Sequence, residues 1–451
     1  MNTLIKEEMT LAYLEDDLIL RRSTPEDAQA LAELNAKLQS DDGPHLPDKK
    51  VAAWVRDLLE KPHPTFGAGD FTVVEERHSG RIVSSMNLIS QTWSYGGIRF
   101  GVGRPELVCT LPEYRQRGLV RAQFEVVHRW SAERGEAVQA ITGIPYYYRQ
   151  FGYEMAMDVD TGRFGYKMHV PNLENGQKEP YTIRPAEEAD LAFIADLYEE
   201  SCRRSLVSCV RDEVDWKYEL SGKNPANVNR LEWRMIETAG GKVVGYLAHP
   251  FFNGPKGADL VAWAYEIVQG YSWAEITPTV IRYLATTGES YAKQAGKVFD
   301  SFGFWLGRQH PVYEVLNERA PRLRRPYSWY VRVPDLPGFI RLILPVLEER
   351  LSESAYAGHT GELKLTFYRS GLRLDFERGR LVDVKAWKPE PHGHSGDVAF
   401  PNLTFLQLLF GYRSLDELAY AFPDCWWEQD DAYGLVKALF PKQASHVWGV
   451  T

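Results

Sequence analysis

From residue 18 the chain opens on the apolar run of LILRRS and then changes period. A helix-start signal leads into PEDAQALAELNAKLQS (25–40), where apolar residues recur at helical spacing, so a strand followed by an amphipathic helix is predicted. A second helix is expected near 49–60. FTVVEERH (71–78) and RIVSSMNLISQTW (81–93) read as strands. The stretch LVCTLPEYRQRGLV (107–120) reads as strand, turn and helix N-terminus, with the helix running to about Glu133. A strand AVQAITGI, a short helix PYYYRQF and a closing strand after Gly152 complete the unit. This is a mixed α/β sheet with helices on both faces. Such sheets place pockets at the C-terminal ends of their strands, where 107–120 lies.

The pattern repeats. LRRSTPEDAQALAEL (20–34) aligns without gaps on IRPAEEADLAFIADL (183–197), matching Arg21 with Arg184, Asp27 with Asp190, Ala32 with Ala195 and Leu34 with Leu197. Two copies of one fold are expected, at 1–166 and 181–333, joined by the polar linker KMHVPNLENGQKEP. VRVPDLPG (331–338) marks a second break. Beyond it come a helix FIRLILPVLEERLSES, a strand ELKLTFY, a strand pair turning at residues 378–380, and a helical segment FLQLLFGYRSLDELAYAF interrupted by glycine. They predict a smaller α+β unit at 335–451. A length of 451 residues suits roughly three domains.

Composition narrows the function. The net charge of −9 and pI near 5.8 exclude a general nucleic-acid binder. The acidic balance suits a cationic small substrate, and is equally usual in a cytoplasmic enzyme without one. Cys109, Cys202, Cys209 and Cys425 have neither zinc-site spacing nor the density of a disulfide framework, which points to a reducing compartment. Charges interrupt the N-terminus before a signal-peptide core forms, and no run approaches the roughly 18 apolar residues of a membrane span. A cytoplasmic protein, not associated with membranes, is expected.

The chemistry concentrates in 107–120. Pro112 ends ladder pairing after the strand. Gly118 has no Cβ, so a phosphate can approach its backbone, and amides from about Gln116 to Val120 are free to converge on a pyrophosphate. Arg115 and Arg117 add positive charge at the rim. The strand before, the helix after and YYYRQFGYE one strand later set this apart from an ordinary basic helix start.

Taken together, LPEYRQRGLVRAQF and YYYRQFGYE resemble the acetyl-CoA-binding core of the GNAT acyltransferases. Val120 stands where most of that superfamily has Gly or Ala, a departure shared by the Eis-type (enhanced intracellular survival) acetyltransferases. The repeat, the linkers and the small third unit are similar to the Eis plan: an active GNAT domain, a degenerate GNAT-like domain lacking an Arg-x-x-Gly counterpart, and a sterol-carrier-protein-like C-terminal domain. The resemblance implies acetyl-CoA as cosubstrate, held by Val108 and Thr110 along the pantetheine arm and by Arg115, Gln116, Gly118 and Val120, with Arg117 at the rim, around the pyrophosphate. It implies Tyr148 as the general acid for the CoA thiolate, since a phenol near its ordinary pKa of about 10 keeps its proton at neutral pH. It also implies the α-carboxylate of Thr451 as acceptor of the amine's proton, and the apolar tail ASHVWGVT suits burial. A hexameric homo-oligomer is implied by resemblance alone.

Other candidates carry less. Glu106, two residues before Val108 on the same strand face, is an alternative base. Asp41 and Asp42 follow the first helix and suit an ammonium group or a plain polar loop. His392 and His394 lack further metal ligands, so no metal is assigned. Tyr146, Tyr147 and CWWEQ (425–429) read as packing residues. The expected activity is N-acetylation of a primary amine, an aminoglycoside-like polyamine first and a protein or peptide lysine next, with a lipid or small-ligand carrier built on the third unit as the rival from another class.

Overall fold

The computed structural model describes residues 9–174, 176–254, 257–390 and 396–451, so His392 and His394 lie outside the described residues. The first sheet begins with β1 (Thr10–Tyr13), β2 (Leu18–Arg22), β3 (Phe71–Glu76), β4 (Ile82–Tyr95) and β5 (Ile98–Thr110), an antiparallel run. Three helices accompany it: α1 (Ala28–Leu38), α2 (Lys49–Glu60) and α3 (Leu119–Glu133). The strand β5 starts well before the Leu107 at which its apolar run becomes legible. Gly96 and Gly97, both at positive φ, close the tight β4–β5 turn.

After α3 comes β6 (Val138–Ile141), parallel to β5, and after the 143–151 loop come β7 (Glu154–Val159) and β8 (Gly162–Tyr166). Here the two copies of the fold interlock. β8 leaves the first sheet and runs between β15 (Ser301–Phe304) and β16 (Arg322–Arg324) of the second unit. In return β17 (Tyr327–Arg332), at the end of the second unit, runs between β6 and β7 of the first. The pairing thus crosses both boundaries expected near 166 and 333. The rest of the second unit includes β9 (Tyr181–Pro185), α4 (Leu191–Cys202), β10 (Val207–Val210), β11 (Leu231–Thr238), β12 (Val243–Pro250), β13 (Asp259–Ala262), β14 (Ala264–Ile267) and α5 (Trp273–Gln294), with short helices at Glu213–Lys217 and Val312–Leu316. β10 extends the first sheet by pairing with the end of β4.

The repeat read from sequence is a repeat in geometry. Arg21 forks onto Asp27 at 2.7 and 2.8 Å and its Nε donates to Glu75 at 2.8 Å. Arg184 forks onto Asp190 at 2.7 and 2.9 Å and its Nε donates to Glu237 at 2.6 Å. In both copies the aspartate also accepts an amide three residues before it, from Thr24 or Glu187, at 2.8 Å. The arginine therefore pins its own strand (β2 or β9), the neighbouring strand (β3 or β11) and the start of the following helix to one another.

The third unit has a four-stranded sheet, β18 (Gly361–Thr366), β19 (Gly371–Glu377), β20 (Arg380–Trp387) and β21 (Val398–Ala399), with β19 and β20 turning at Arg378 and Gly379 as expected. The helix expected from residue 339 is split, by Ile343 and Pro345, into Leu336–Leu342 and Leu344–Ser352. It packs on the far end of the β4–β5 hairpin. Phe339 stands edge-on to Phe100 and Tyr95 at 5.3 and 6.1 Å, and the Tyr95 hydroxyl donates to the Leu409 carbonyl at 2.7 Å.

The two arginine forks differ in exposure, which sets unequal costs for removing them. The side chain of Arg21 is 1% exposed and that of Arg184 30%. Arg21→Met strands two buried carboxylates and is expected to cost about 3–5 kcal/mol. Arg184→Met is expected to cost roughly 1 kcal/mol. Urea unfolding followed by tryptophan fluorescence checks the difference, and equal losses would contradict it.

Candidate active site

Two irregularities in β5 create the site. Ser85 faces Cys109 and Asn87 faces Glu106, so Met86 alone stands opposite Leu107 and Val108, a β-bulge in which Leu107 takes φ +52°. β5 also pairs with β6 only at Val102 and Gly103. Beyond that point the two strands part, and a cleft of about 750 Å³ opens between their C-terminal ends. Its lining includes Glu106, Val108, Thr110, Arg115, Gln116, Gly118, Val120 and Tyr148. Sequence positions more than forty residues apart thus meet in one cavity.

One wall is main chain. Gln116 and Gly118 both adopt left-handed φ, +65° and +74°, so the turn before α3 curls its amides toward one side. Among the described residues none of the N–H groups of Gln116 to Val120 donates to a protein acceptor. A Cβ on Gly118 would meet no protein atom within 4 Å. Packing does not demand glycine there; the backbone conformation does, and the amides at the head of a fifteen-residue helix remain free for an anion. Arg115 folds back toward the Thr110 carbonyl, its Nε donating at 3.4 Å. Arg117 is not on the cleft wall: it pairs with Asp16 at 3.2 Å and lies over the Tyr114 ring. Arg121, which the motif did not single out, lines the cleft and donates to Gln150 at 3.2 Å.

The opposite wall carries Tyr148, 2% exposed, against Phe124 and Tyr330 with ring centroids 6.0 and 5.4 Å away. Burial, with the nearby Glu106 carboxylate, pushes its pKa well above the ordinary phenol value. The hydroxyl is therefore protonated throughout the neutral range. The exchanged strand β17 holds this loop in shape. The Tyr327 hydroxyl donates to the Gly143 carbonyl and the Tyr146 amide donates to the Tyr330 hydroxyl, each at 2.5 Å, with Tyr146 at φ +63°. Nothing local in PYYYRQF foretold partners 184 residues away. Tyr147 lines the cleft, whereas Tyr146 is exposed.

Thr451 does not line the cleft. The Glu106 carboxylate pairs with Arg104 at 2.5 Å, and Arg104 and Gln91 donate to the Val450 carbonyl at 3.0 and 2.8 Å. Lys223 donates to Thr451 Oγ1 at 3.1 Å. Gly449 fits where a Cβ would stand 2.9 Å from Gln91 and 3.0 Å from Arg104. His63 is edge-on to Tyr218 at 4.6 Å; burial holds its pKa down at about 4, against an opposing pull from the Thr451 main chain. The tail is thus largely buried, with Val447 and Val450 in the core and Thr451 half-buried. Asp41 and Asp42 are exposed and off the cleft wall.

Residues 20–156 match the model of the family described as Acetyltransferase (GNAT) domain. No curated protein matches the chain. Among solved structures it is similar to a GCN5-related N-acetyltransferase from Anabaena variabilis (14% identity, 96% of this chain and 100% of that one, TM-score 0.63). A GCN5-related N-acetyltransferase from Kribbella flavida (18%, 96% and 97%, 0.62) and Eis1 from Mycobacterium abscessus (13%, 96% and 99%, 0.58) are similar over the same extent. These likenesses establish a shared fold along nearly the whole chain. Residues 20–156 are thus matched to a GNAT acetyltransferase domain, a family of acetyl-CoA-dependent acyl transfer, within a mixed α/β fold of two repeated units and a final α+β unit that solved N-acetyltransferases share along nearly the whole chain.

Proposed function

We propose that the protein transfers acetyl from acetyl-CoA to a primary amine of a cationic, aminoglycoside-like molecule by direct attack. The observation that carries this is the cleft itself: free amides at the head of α3 on one wall and a buried, protonated Tyr148 on the other. The amides of Gln116, Gly118 and Val120 take the pyrophosphate, with Arg115 beside them. Val108 and Thr110 run along the pantetheine arm, and a main-chain amide near Val108 polarises the thioester carbonyl. A neutral amine attacks that carbonyl carbon, the C–S bond breaks, and Tyr148 gives its proton to the departing thiolate.

The amine's proton goes to the terminal carboxylate of Thr451. Glu106 is the second reading, favoured by its place on the cleft wall beside Tyr148. A protein lysine as acceptor, and a sterol-carrier-like role for the third unit, are the remaining alternatives. A cavity of about 710 Å³ between Leu336, Phe367, Leu372 and Phe405 supports the latter. A cytoplasmic location and a homo-oligomer accompany this reading.

Calorimetry with acetyl-CoA and thiol release on adding neomycin test the proposal; no binding and no release would refute it. Gly118→Val puts a branched side chain at a left-handed φ on the amide wall and is expected to weaken acetyl-CoA binding at least about tenfold with the fold retained. Tyr148→Phe is expected to lower kcat on the order of 100-fold with acetyl-CoA affinity within about twofold. Because the Tyr148 pKa is raised, wild-type kcat is expected to show no falling limb up to about pH 10. Removing Val450 and Thr451 should depress kcat at least about 100-fold and Glu106→Gln less than about tenfold; the reverse order would make Glu106 the base.

A further inference from the structure

We propose that the second unit is a clamp for the chain's own C-terminus, in which Lys223, Glu219 and Arg211 are positioning residues for the terminal carboxylate of Thr451. The inference rests on the acyl-transfer reading above for its catalytic consequence, but not for its geometry.

The two copies of the fold use their openings differently. In the first, β5, α3 and β6 follow one another, β5 and β6 are parallel, and their parting leaves the cleft. In the second, β14, α5 and β15 follow the same order, and β15 runs parallel to β13. The corresponding parting is filled by the tail. Ala264, Glu266 and Leu306 face Ser445 and His446 there, and a Cβ on Gly307 would sit 3.1 Å from His446 Nδ1. The His446 amide donates to the Val207 carbonyl at 3.2 Å, and Trp448 packs on Trp233 at 5.5 Å. The groove that in the first copy is open for a ligand is in the second a channel for residues of the same chain.

Buried donors then hold the last residues. The side chains of Arg211, Glu219 and Lys223 are 0%, 0% and 1% exposed, two cations to one anion. Glu219 accepts from Arg211 at 3.2 Å and from Lys223 at 2.7 Å. The remaining donors reach outward: Lys223 to the Asn229 carbonyl at 3.2 Å and Thr451 Oγ1 at 3.1 Å, Arg211 to the Trp448 carbonyl at 2.8 Å. Of the neighbouring charged groups, Arg104 and Glu106 neutralise each other, Asp57 binds the Asn224 amide and Asn227, and Asp215, which closes the capping box of the short helix Glu213–Lys217, acts on Arg211 as a second anion beside Glu219. Lys223 thus reaches Thr451 through its hydroxyl, and holding that hydroxyl fixes where the adjoining terminal carboxylate lies. With Arg104 and Gln91 gripping the preceding carbonyl from the first unit, the terminus is seized from both sides.

The test uses the full-length protein with neomycin as acceptor. Wild type, Lys223→Met, Thr451→Val and the double variant are compared for kcat, for acetyl-CoA affinity by calorimetry, and for release of Thr451 by carboxypeptidase. Lys223→Met is expected to lower kcat at least about tenfold, to leave acetyl-CoA affinity within about twofold, and to release Thr451 at least about tenfold faster. Thr451→Val should show a smaller change of the same kind, and adding it to Lys223→Met should cost less than about a further twofold, since both remove one contact. Lys223→Arg, which keeps the charge, should recover part of the loss. A folded Lys223→Met protein with wild-type kcat, or with Thr451 as protected as in wild type, overturns the clamp. Should Lys223→Met fail to fold, Thr451→Val leaves the second unit intact and is judged by the same two readouts. If wild type acetylates no amine, the acyl-transfer reading falls while carboxypeptidase release still decides the clamp.

Discussion

Everything at the site depends on two parallel strands that refuse to stay together. β5 and β6 share only the pairs at Val102 and Gly103, and the bulge at Leu107 and Val108 bends β5 where it should continue. An interrupted ladder leaves peptide groups without partners, which is unfavourable unless a ligand or solvent satisfies them. The sheet tolerates the gap because both parting strands are anchored elsewhere. β5 is held along its length by β4, and β6 is held by a strand brought in from the second unit.

That imported strand gives the second copy a part in the first one's site: β17 supplies Tyr327 and Tyr330, which shape the loop bearing Tyr148. The third unit contributes in another way, by covering the β4–β5 hairpin with Phe339 and by sending its last residues back to Arg104. Three units that are separate in sequence thus pack around the sheet that carries the cleft.

Local pattern made some of this legible and not the rest. The helix at 49–60, the turn at residues 378–380 and the 107–120 junction are written in hydrophobic period and in Gly and Pro placement, which act over a few residues. The alignment of Arg21 with Arg184 foretold a repeated fork because the arginine and its aspartate lie six residues apart. The strand exchange was invisible, since β8 and β17 carry ordinary strand patterns that fit either sheet equally well. The tilt of Arg117 toward Asp16 and the role of Lys223 were hidden for the same reason. Both depend on partners brought close only by the finished fold, 101 and 228 residues away.

The reciprocal crossing of β8 and β17 also bears on how such a chain is dismantled. A fragment ending at residue 166 would keep β8 without its sheet and would leave β6 and β7 with bare edges where β17 belongs, an invitation to self-association. The second copy alone would be left with the mirror-image defect. Neither half can therefore be cut from the other without baring the strand edges that the exchange covers.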